Sequence, residues 1–415
     1  MSIEKKKNIL IYAREHVTYY CLHLPEEIYY VEDIKHFEAV LRKIPIIDKR
    51  FMMRNIKCFI SNEYIDSNIE EIISTEKVLY KEYFYIVNGK SVVVEFSSGT
   101  TGIPSISIKT IDERLILGNQ LWKLRNSIYK VKGKEFFNFI HNFTQNQYPF
   151  PFSIDCKDTP EEKLKKELNY LSRNKFKWWH INSYRLGLYT EVLEHYKLDF
   201  PHLKVIENNG SYMSKEERDD IANRFNCMVV DNYGCREVWT IAFGCNCGYL
   251  HVNDRNIIFE LVDDRNDVIQ EADIVGNIVV TSLSQYAMPF IRYRTGDQAK
   301  YISGACSCGK SSKRIELLPG RNLIVGTEVY GNIHFRTVVR RTLLFHGKEI
   351  QSISVKQVGR FYFYVYIKSK SGKENSDFEN RFRDISNELL KDNRYKYCFV
   401  YNEDVKPKSI FTVAK

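Results

Sequence analysis

A loop of small hydroxylated residues follows a short β-branched segment and could hold a phosphate. Val92–Val94 predicts a buried strand. The loop Ser97–Gly102 comes next and reads S-S-G-T-T-G. Its glycines and hydroxyls can direct several N–H and O–H donors at one anion. No Gly-Lys-Ser/Thr ends the loop, so it is not a Walker loop; a Ser/Thr-rich surface turn is the alternative interpretation.

A second segment, D-N-Y-G-C-R-E, brings an aromatic ring, a glycine and a carboxylate to the end of a predicted strand. Tyr233 could stack on a purine, and Gly234 would permit close approach of a backbone. Glu237 could hold a Mg²⁺ ion that bridges phosphates. By itself the pattern also fits an ordinary turn at a strand end.

The third and fourth segments are Y-R-T-G-D at residues 293–297 and the dipeptide Gly320-Arg321. A carboxylate with two acceptor oxygens suits a vicinal diol such as a ribose, which makes Asp297 a candidate nucleotide-binding residue. A Gly-Arg pair is informative only through its position after the other three segments.

These four segments, in this order, resemble the motifs of the adenylate-forming ligases. The variant Y-G-x-R-E, with Arg236 where the superfamily usually has threonine, is similar to the phenylacetate–CoA ligase-like branch, which includes CapK-type capsule-locus proteins. The resemblance implies a site for ATP and AMP with Mg²⁺ on Glu237. The implied nucleotide-binding residues are Ser97, Ser98, Gly99, Thr100, Thr101, Gly102, Tyr233, Gly234, Asp297 and Arg321.

The resemblance also implies a catalytic lysine near the C-terminus, usually in a Gly-Lys pair. Lys415 falls at about that place, although Ala414 replaces the glycine; Lys406 and Lys408 are alternatives, and a solvated terminal charge is the plain interpretation. With Glu237 and Thr100, Lys415 completes the candidate catalytic set. Ser105 stands where many relatives have a lysine after the loop, and Lys109 is the nearest basic residue that could compensate.

Four of the ten cysteines form two C-x-C pairs, Cys245/Cys247 and Cys306/Cys308, and His251 follows the first pair. Thiolates and imidazole are the ligands of structural Zn²⁺. Related ligases carry a similar zinc-binding pattern. The resemblance implies four ligands, Cys245, His251, Cys306 and Cys308, with Cys247 spare or replacing His251. Free core thiols and a redox pair are the alternatives.

The fold prediction is α/β. Strand–helix alternation after Arg173, as far as Gly234, predicts a largely parallel sheet, and residues 260–301 predict a small antiparallel or barrel-like subdomain. We expect an adenylate-forming core over residues 1–321, with the zinc subsite near 245–308, and a small mobile α+β lid domain over 322–415.

The composition fits a soluble globular protein, with 44% hydrophobic and 27% charged residues and a net charge of +9. No segment predicts a secretory signal or a membrane span, so we expect a cytoplasmic protein. The sequence has no stripe of basic residues interleaved with aromatic residues, so it does not indicate a nucleic-acid-binding surface. Expected partners are a small carboxylic acid and CoA or an acyl-carrier protein, and the sequence is also compatible with a homodimer.

The function that the resemblance implies is activation of a carboxylic acid as an acyl-adenylate, followed by transfer to a thiol of CoA or of a carrier protein. The 28 tyrosines and 25 phenylalanines favour an aryl or apolar acid. Three alternatives remain: transfer to an amine or hydroxyl in capsule or natural-product biosynthesis, a degenerate nucleotide-binding protein without turnover, and a zinc-bearing nucleic-acid-binding module.

Overall fold

The parts of the chain described by the computed structural model leave several predicted site residues out. Ser97–Gly102, Arg321 and Lys415, with the alternatives Lys406 and Lys408, lie outside the described residues, and their roles stay predictions. The described residues are 3–74, 83–96, 105–139, 150, 158, 160–210, 212–318, 323–325, 328–330, 338–339, 342, 350–359, 361–390, 394–401 and 411–413.

The helices begin and end largely where the sequence signals place them. The sequence S-x-x-E at Ser214 and Glu217 is typical of a capping box, and these residues form one at the start of the helix Lys215–Phe225; the helix containing Phe37 ends before Pro45. The helices are α1 Ile3–His16, α2 Thr18–His23, α3 Ile34–Lys43, α4 Lys49–Arg54, α5 Ser67–Ser74, α6 Ile111–Asn126, α7 Pro160–Arg173, α8 Ser183–Leu193, α9 Lys215–Phe225 and α10 Ser376–Leu390.

The strands include the predicted buried strand before the hydroxyl-rich loop, now β3. The strands are β1 Ile47–Asp48, β2 Tyr83–Val87, β3 Lys90–Phe96, β4 Ile106–Thr110, β5 Phe136–Asn138, β6 Trp178–Ile181, β7 Val205–Asn209, β8 Met228–Cys235, β9 Trp239–Gly244, β10 Leu250–Val252, β11 Ile257–Val262, β12 Val268–Ile269, β13 Val275–Ser282, β14 Tyr293–Ile302, β15 Arg314–Leu317, β16 Leu323–Val325, β17 Glu328–Tyr330, β18 Ile350–Gly359, β19 Tyr362–Ser369, β20 Lys396–Tyr401 and β21 Phe411–Val413.

The chain divides into two compact units. Unit 1 comprises residues 1–130, 141–146 and 230–318, and unit 2 comprises residues 131–140, 147–229 and 319–415. The chain leaves unit 1 at residue 318, close to the predicted domain boundary at Arg321–Asn322, which itself lies outside the described residues. The predicted lid domain therefore stays a prediction.

Unit 1 contains an antiparallel sheet in the order β12-β11-β13-β14-β15-β10-β9-β8, with the short β1 parallel to β14. Its neighbouring strands are mostly joined by turns, and a parallel pair would need a longer crossover connection. A three-stranded antiparallel sheet, β2-β3-β4, carries the ends of the hydroxyl-rich loop, because Phe96 pairs with Ile106. The helices α1 and α3 contribute buried side chains to the same core.

Unit 2 contains the parallel strands β5, β6 and β7 and a separate sheet in the order β20-β19-β18-β21. The helices α7, α8 and α9 bury their apolar faces in a core with β6 and β7. In the C-terminal part, α10 buries Phe378 and Phe382 among side chains of β18 and β19.

The predicted mixed α/β fold is confirmed. Its parallel arrangement is found in β5–β7, while the predicted antiparallel subdomain forms β11–β14 of an open sheet, and no closed barrel occurs among the strands named above. Within the described residues, no helix combines the length and apolar character needed to cross a bilayer.

Candidate functional site

Two tyrosine–carboxylate pairs join the motif around Tyr233 to the motif around Asp297. The Tyr233 hydroxyl donates to Asp297 Oδ2 at 2.9 Å, and the Tyr293 hydroxyl donates to Glu237 Oε1 at 2.8 Å. Each motif therefore supplies one tyrosine and, four residues later, one carboxylate, and each tyrosine binds the carboxylate of the other motif. The pairing holds two predicted site carboxylates at a fixed place.

Burial sets the protonation of these pairs. It raises the pKa of Tyr233 and Tyr293 well above the usual range for a phenol, so both hydroxyls remain donors. Burial also raises the pKa of Asp297, and the nearby Glu237 adds to this, whereas the hydrogen bond from Tyr233 opposes it. The Asp297 carboxyl group is thus held by a neutral hydrogen-bond donor.

Glu237 is suited to hold a cation. Its side chain is buried, with 5% of its surface exposed, and its backbone carbonyl accepts a hydrogen bond from the Gln285 amide. Because a carboxylate offers about four acceptor positions, the bond from Tyr293 leaves capacity for a Mg²⁺ ligand bond. The residue therefore fits the predicted role, with a tyrosine that orients it.

Gly234 is required by the hairpin that carries Glu237. A Cβ atom at this position would lie 2.0 Å from the backbone oxygen of Trp239, which is far inside contact distance. Trp239 itself has φ of +61°, in the left-handed region that side-chain-bearing residues seldom adopt. The close backbone approach predicted for Gly234 is thus made by the facing strand β9.

A buried ion pair joins β3 to β4 beside this hairpin. Lys109 and Glu95 are both fully buried, and the Lys109 Nζ atom lies 2.9 Å from Glu95 Oε2. Nζ also donates to Ser107 Oγ at 2.8 Å and to the Arg236 backbone oxygen at 2.9 Å. An ammonium has three N–H donors, and these three contacts use all of them.

Glu95 is held from two further sides. The Trp239 indole N–H donates to its Oε2 atom at 3.2 Å, and Arg114 Nε lies 3.3 Å from its Oε1 atom. Burial alone would raise the pKa of Glu95, but Lys109, Arg114 and Arg236 together bring it below the usual value. We call Lys109, Glu95, Arg114 and Trp239 the lysine–glutamate cluster.

The lysine–glutamate cluster shows whether Lys109 can replace the lysine that many relatives have at the position of Ser105. Lys109 is the nearest candidate, but its side chain has no exposed surface and all of its donors are engaged. It is therefore committed to the protein interior.

A second cluster lies where two turns meet in the same unit. Cys245, His251, Cys306 and Cys308 place one ligand atom each within 4.8 Å of one another. The Sγ atoms of Cys245 and Cys306 are 3.8 Å apart, and Cys308 Sγ lies 3.4 Å from His251 Nε2. We call these four residues the cysteine–histidine cluster.

Two similar turns build this cluster. Each has the sequence C-x-C-G, and in each the glycine N–H bonds the carbonyl of the first cysteine, with Gly248 and Gly309 both at positive φ. Antiparallel pairing of β10 with β15 brings the turns together. Cys247 is exposed and contacts Ser307, so it lies outside the four.

The donor set fits a tetrahedral cation such as Zn²⁺. Burial raises the pKa of Cys245, whereas the Cys308 backbone N–H and neighbouring groups lower the pKa of Cys306. His251 directs Nε2 toward Cys308, while Nδ1 lies 3.2 Å from the Ser312 carbonyl. That carbonyl fixes the orientation of the ring, as is common for metal-bound histidine.

Unit 2 has its own buried polar group at the ends of its parallel strands. His180, which is 7% exposed, contacts Asn138 Oδ1 at 2.9 Å and Asn209 Nδ2 at 3.0 Å, and lies 3.6 Å from Glu207. Gly210 follows with φ of +80°. The histidine is thus well partnered inside unit 2.

Both carboxylates and all four residues of the cysteine–histidine cluster were predicted from the sequence. Four features were not predicted: Glu95, the hydrogen-bond donors Trp239 and Tyr293, and the burial of Lys109. A signal was available, because a glutamate interrupts the apolar run of β3 and a lysine of opposite charge lies in β4, across the same loop. An isolated charge in a buried strand needs a partner.

Comparisons with known proteins agree with this architecture. No family model matches the chain. An 85-residue segment is 35% identical to a phenylacetate–coenzyme A ligase of Thermus thermophilus, so the match spans about a fifth of that relative (19% of each chain).

Solved structures of 2-hydroxyisobutyryl-CoA ligase align over almost the whole chain. Its postadenylation state with 2-HIB-AMP gives a TM-score of 0.64 at 14% identity, covering 98% of this chain and 86% of that one. Its thioesterification state with 2-HIB-AMP and CoA gives 0.59 at 16% identity, covering 99% and 88%. This chain has the adenylate-forming fold. The predicted resemblance to that superfamily is confirmed.

Proposed function

We propose that this protein activates a carboxylic acid with Mg·ATP as an acyl-adenylate and then transfers the acyl group to a thiol. The observation that carries the proposal is the pair of cross-bonded motifs, which hold Asp297 and Glu237 in place on an adenylate-forming fold. Two oriented carboxylates, one for a diol and one for a metal ion, are what Mg·ATP requires.

In the first half-reaction, a carboxylate oxygen of the acid attacks the α-phosphorus of ATP, and the bond to the β-phosphate breaks to release pyrophosphate. The loop Ser97–Gly102, with Thr100 at its centre, would offset the charge that develops on the departing phosphates. Asp297 would accept hydrogen bonds from the ribose hydroxyls. Mg²⁺ supplies charge neutralisation when bound, and Glu237 would hold it.

In the second half-reaction, a thiol attacks the acyl carbonyl and AMP leaves. We propose CoA or a carrier-protein phosphopantetheine arm as the acceptor, an aryl or apolar acid as the substrate, and Lys415 as the residue that steadies the charge during adenylation. Arg321 would contact the ribose or a phosphate, and Asn322 would be the hinge about which the C-terminal domain moves. We place the protein in the cytoplasm.

We also propose that Zn²⁺ occupies the cysteine–histidine cluster. Four protein ligands close a tetrahedral site and leave no position for a substrate, so the metal would be structural. It would join the turn after β9 to the turn after β14 and thereby support strand β14, which carries Asp297.

The test is acid-dependent ATP–pyrophosphate exchange across aryl, apolar aliphatic and amino acids, followed by product analysis with CoA, with a carrier protein, or with an amine. We expect exchange with one acid class, a product that contains sulfur-bound acyl, and at least a hundredfold loss of exchange in Lys415→Ala. Lys408→Ala tests the alternative lysine and should retain exchange; a loss in Lys408→Ala with normal exchange in Lys415→Ala would assign the role to Lys408. An absence of exchange with every acid, together with no ATP binding, would overturn the proposal.

A further inference from the structure

Lys109, on β4, contacts Ser107 of its own strand, Glu95 of the neighbouring strand β3 and the Arg236 carbonyl of the β8–β9 hairpin. Glu95 lies one residue from the end of β3, and Ser107 lies near the start of β4, so both flank the hydroxyl-rich loop. The third acceptor is the carbonyl of Arg236, one residue before Glu237 at the tip of the β8–β9 hairpin.

A requirement for stability does not account for this arrangement. Replacing a buried ion pair with well-packed apolar side chains is often neutral or stabilising, because desolvating two charges offsets much of their attraction. An apolar pair could fill the same space but could not donate to a backbone carbonyl. The contact from Lys109 to the Arg236 oxygen is thus the feature that needs a hydrogen-bond donor on this side chain.

The hairpin tip also contains a conformation that its surroundings must maintain. Trp239 has φ of +61°, and its indole N–H is bonded to Glu95. A residue in this region carries a strain of about 1–3 kcal/mol and persists when neighbouring groups hold it. Lys109 holds one side of the tip through Arg236, and Glu95 holds the other side through Trp239.

We propose that Lys109 is a positioning residue that fixes the hairpin tip, and with it the Glu237 carboxylate, against the strands from which the loop Ser97–Gly102 emerges. The proposal rests on the proposed function of these two elements. It makes the position of the Glu237 carboxylate relative to β3 and β4 depend on one buried ammonium group.

The test compares Lys109→Met with the double variant Lys109→Met/Glu95→Leu. The single variant leaves the Glu95 charge without its lysine, so we expect a lower unfolding temperature. The double variant removes both charges of the pair, so part of that stability should return, although Arg114 loses its partner. Glu95→Leu alone is the reference for the measurements below, because it loses the Trp239 bond but keeps the contact from Lys109 to the Arg236 oxygen. For the double variant we nevertheless expect at least a tenfold rise in the Mg²⁺ concentration that gives half-maximal exchange, with the KM for the acid changed less than twofold.

A second buried pair provides a matched control. In unit 2, Glu167 is fully buried, pairs with Arg185 and accepts the Tyr189 hydroxyl at 2.7 Å, which parallels the contacts of Glu95. The double variant Arg185→Met/Glu167→Leu should leave the Mg²⁺ requirement unchanged. If the Lys109→Met/Glu95→Leu protein regains both the stability and the Mg²⁺ requirement of the native protein, Lys109 is structural only and the proposal is overturned.

Hydrogen exchange gives a readout that does not depend on turnover. We expect backbone amides of residues 232–242 to exchange at least tenfold faster in the Lys109→Met/Glu95→Leu protein than in the Glu95→Leu protein, while those of the turn at 245–249 keep their native rate. Unchanged exchange in 232–242 would overturn the positioning role. If the native protein shows no acid-dependent exchange of pyrophosphate, the proposed function fails, and the amide rates still decide whether Lys109 holds the hairpin.

Discussion

The lysine–glutamate cluster and the cysteine–histidine cluster lie in the same unit and both join segments that are distant in sequence, but they balance buried charge differently. In the first, the Glu95 carboxylate meets Lys109 and Arg114, so the protein supplies its own counter-charge. In the second, three thiols and one imidazole converge, and nothing among the four can neutralise three thiolates.

This difference determines what each cluster depends on. A cluster neutralised by its own side chains is sensitive to substitution and does not depend on a bound cation. A cluster of thiols binds metal only after losing protons, so it depends on the availability of a cation and on pH.

Loss of a cysteine ligand should have the largest effect. For Cys308→Ala we expect zinc content to fall from about one ion per chain to near zero and the unfolding free energy to fall by more than about 3 kcal/mol, since structural zinc sites contribute strongly to folding. Metal analysis and urea unfolding, with and without a chelator, would measure both. Cys247→Ala is the matched control and should keep its zinc; native protein purified without zinc would contradict the contrast.

Gly234→Ala tests the hairpin beside the lysine–glutamate cluster. The added Cβ would meet the Trp239 oxygen at 2.0 Å, so the backbone must shift, and we expect a loss of about 2–4 kcal/mol in urea unfolding. Gly118→Ala in α6 is the control, because its Cβ meets nothing within 4 Å and alanine favours a helix by up to about 1 kcal/mol. Equal stability of the two variants would show that the hairpin is not tightly constrained.

Asp297 provides a third case, a buried carboxylate paired with a neutral tyrosine. Because burial raises its pKa, the folded chain binds this proton more tightly than the unfolded chain. Stability from Asp297 is therefore greatest below the unfolded pKa and declines as pH rises through the folded value. Asp297→Asn should be more stable than the native protein at neutral pH, by a margin that shrinks on acidification, and should bind ATP about tenfold more weakly.

Urea unfolding from pH 4 to pH 8 and equilibrium ATP binding would measure the two effects of Asp297→Asn. Glu95 should show the opposite trend, because its pKa is lowered: the stability it contributes is present above the unfolded pKa and is lost as pH falls through the folded value. A stability difference for Asp297→Asn that does not vary with pH would contradict the assignment.

Trp239→Phe should have the smallest effect. The ring remains, and only the indole N–H to Glu95 is lost, so we expect about 1 kcal/mol less unfolding free energy. Lys109 and Arg114 still neutralise the carboxylate in this variant. A loss as large as that of Lys109→Met would show that the neutral donor, and not the charge pairing, holds the cluster together.

The sequence by itself was sufficient for the local features of this protein. The strand before the hydroxyl-rich loop, the capping box at Ser214 and the C-x-C turns were predictable because each depends on residues a few positions apart. The order of the four motifs indicated the adenylate-forming fold, and it identified Asp297 and Glu237 as candidates. The hydroxyl-rich loop and Lys415 stay predictions.

The contacts between residues distant in sequence could not be predicted from the motifs and became clear only in the folded chain. Tyr233 pairs with Asp297 across 64 positions, and His251 joins the cysteines while Cys247 faces solvent. Lys109, which the sequence offered as a substitute for the lysine missing at Ser105, is buried against Glu95 and the Arg236 carbonyl. These outcomes follow from strand pairing and hairpin register. Both depend on packing over the whole unit, so they cannot be predicted from the spacing of residues within a motif.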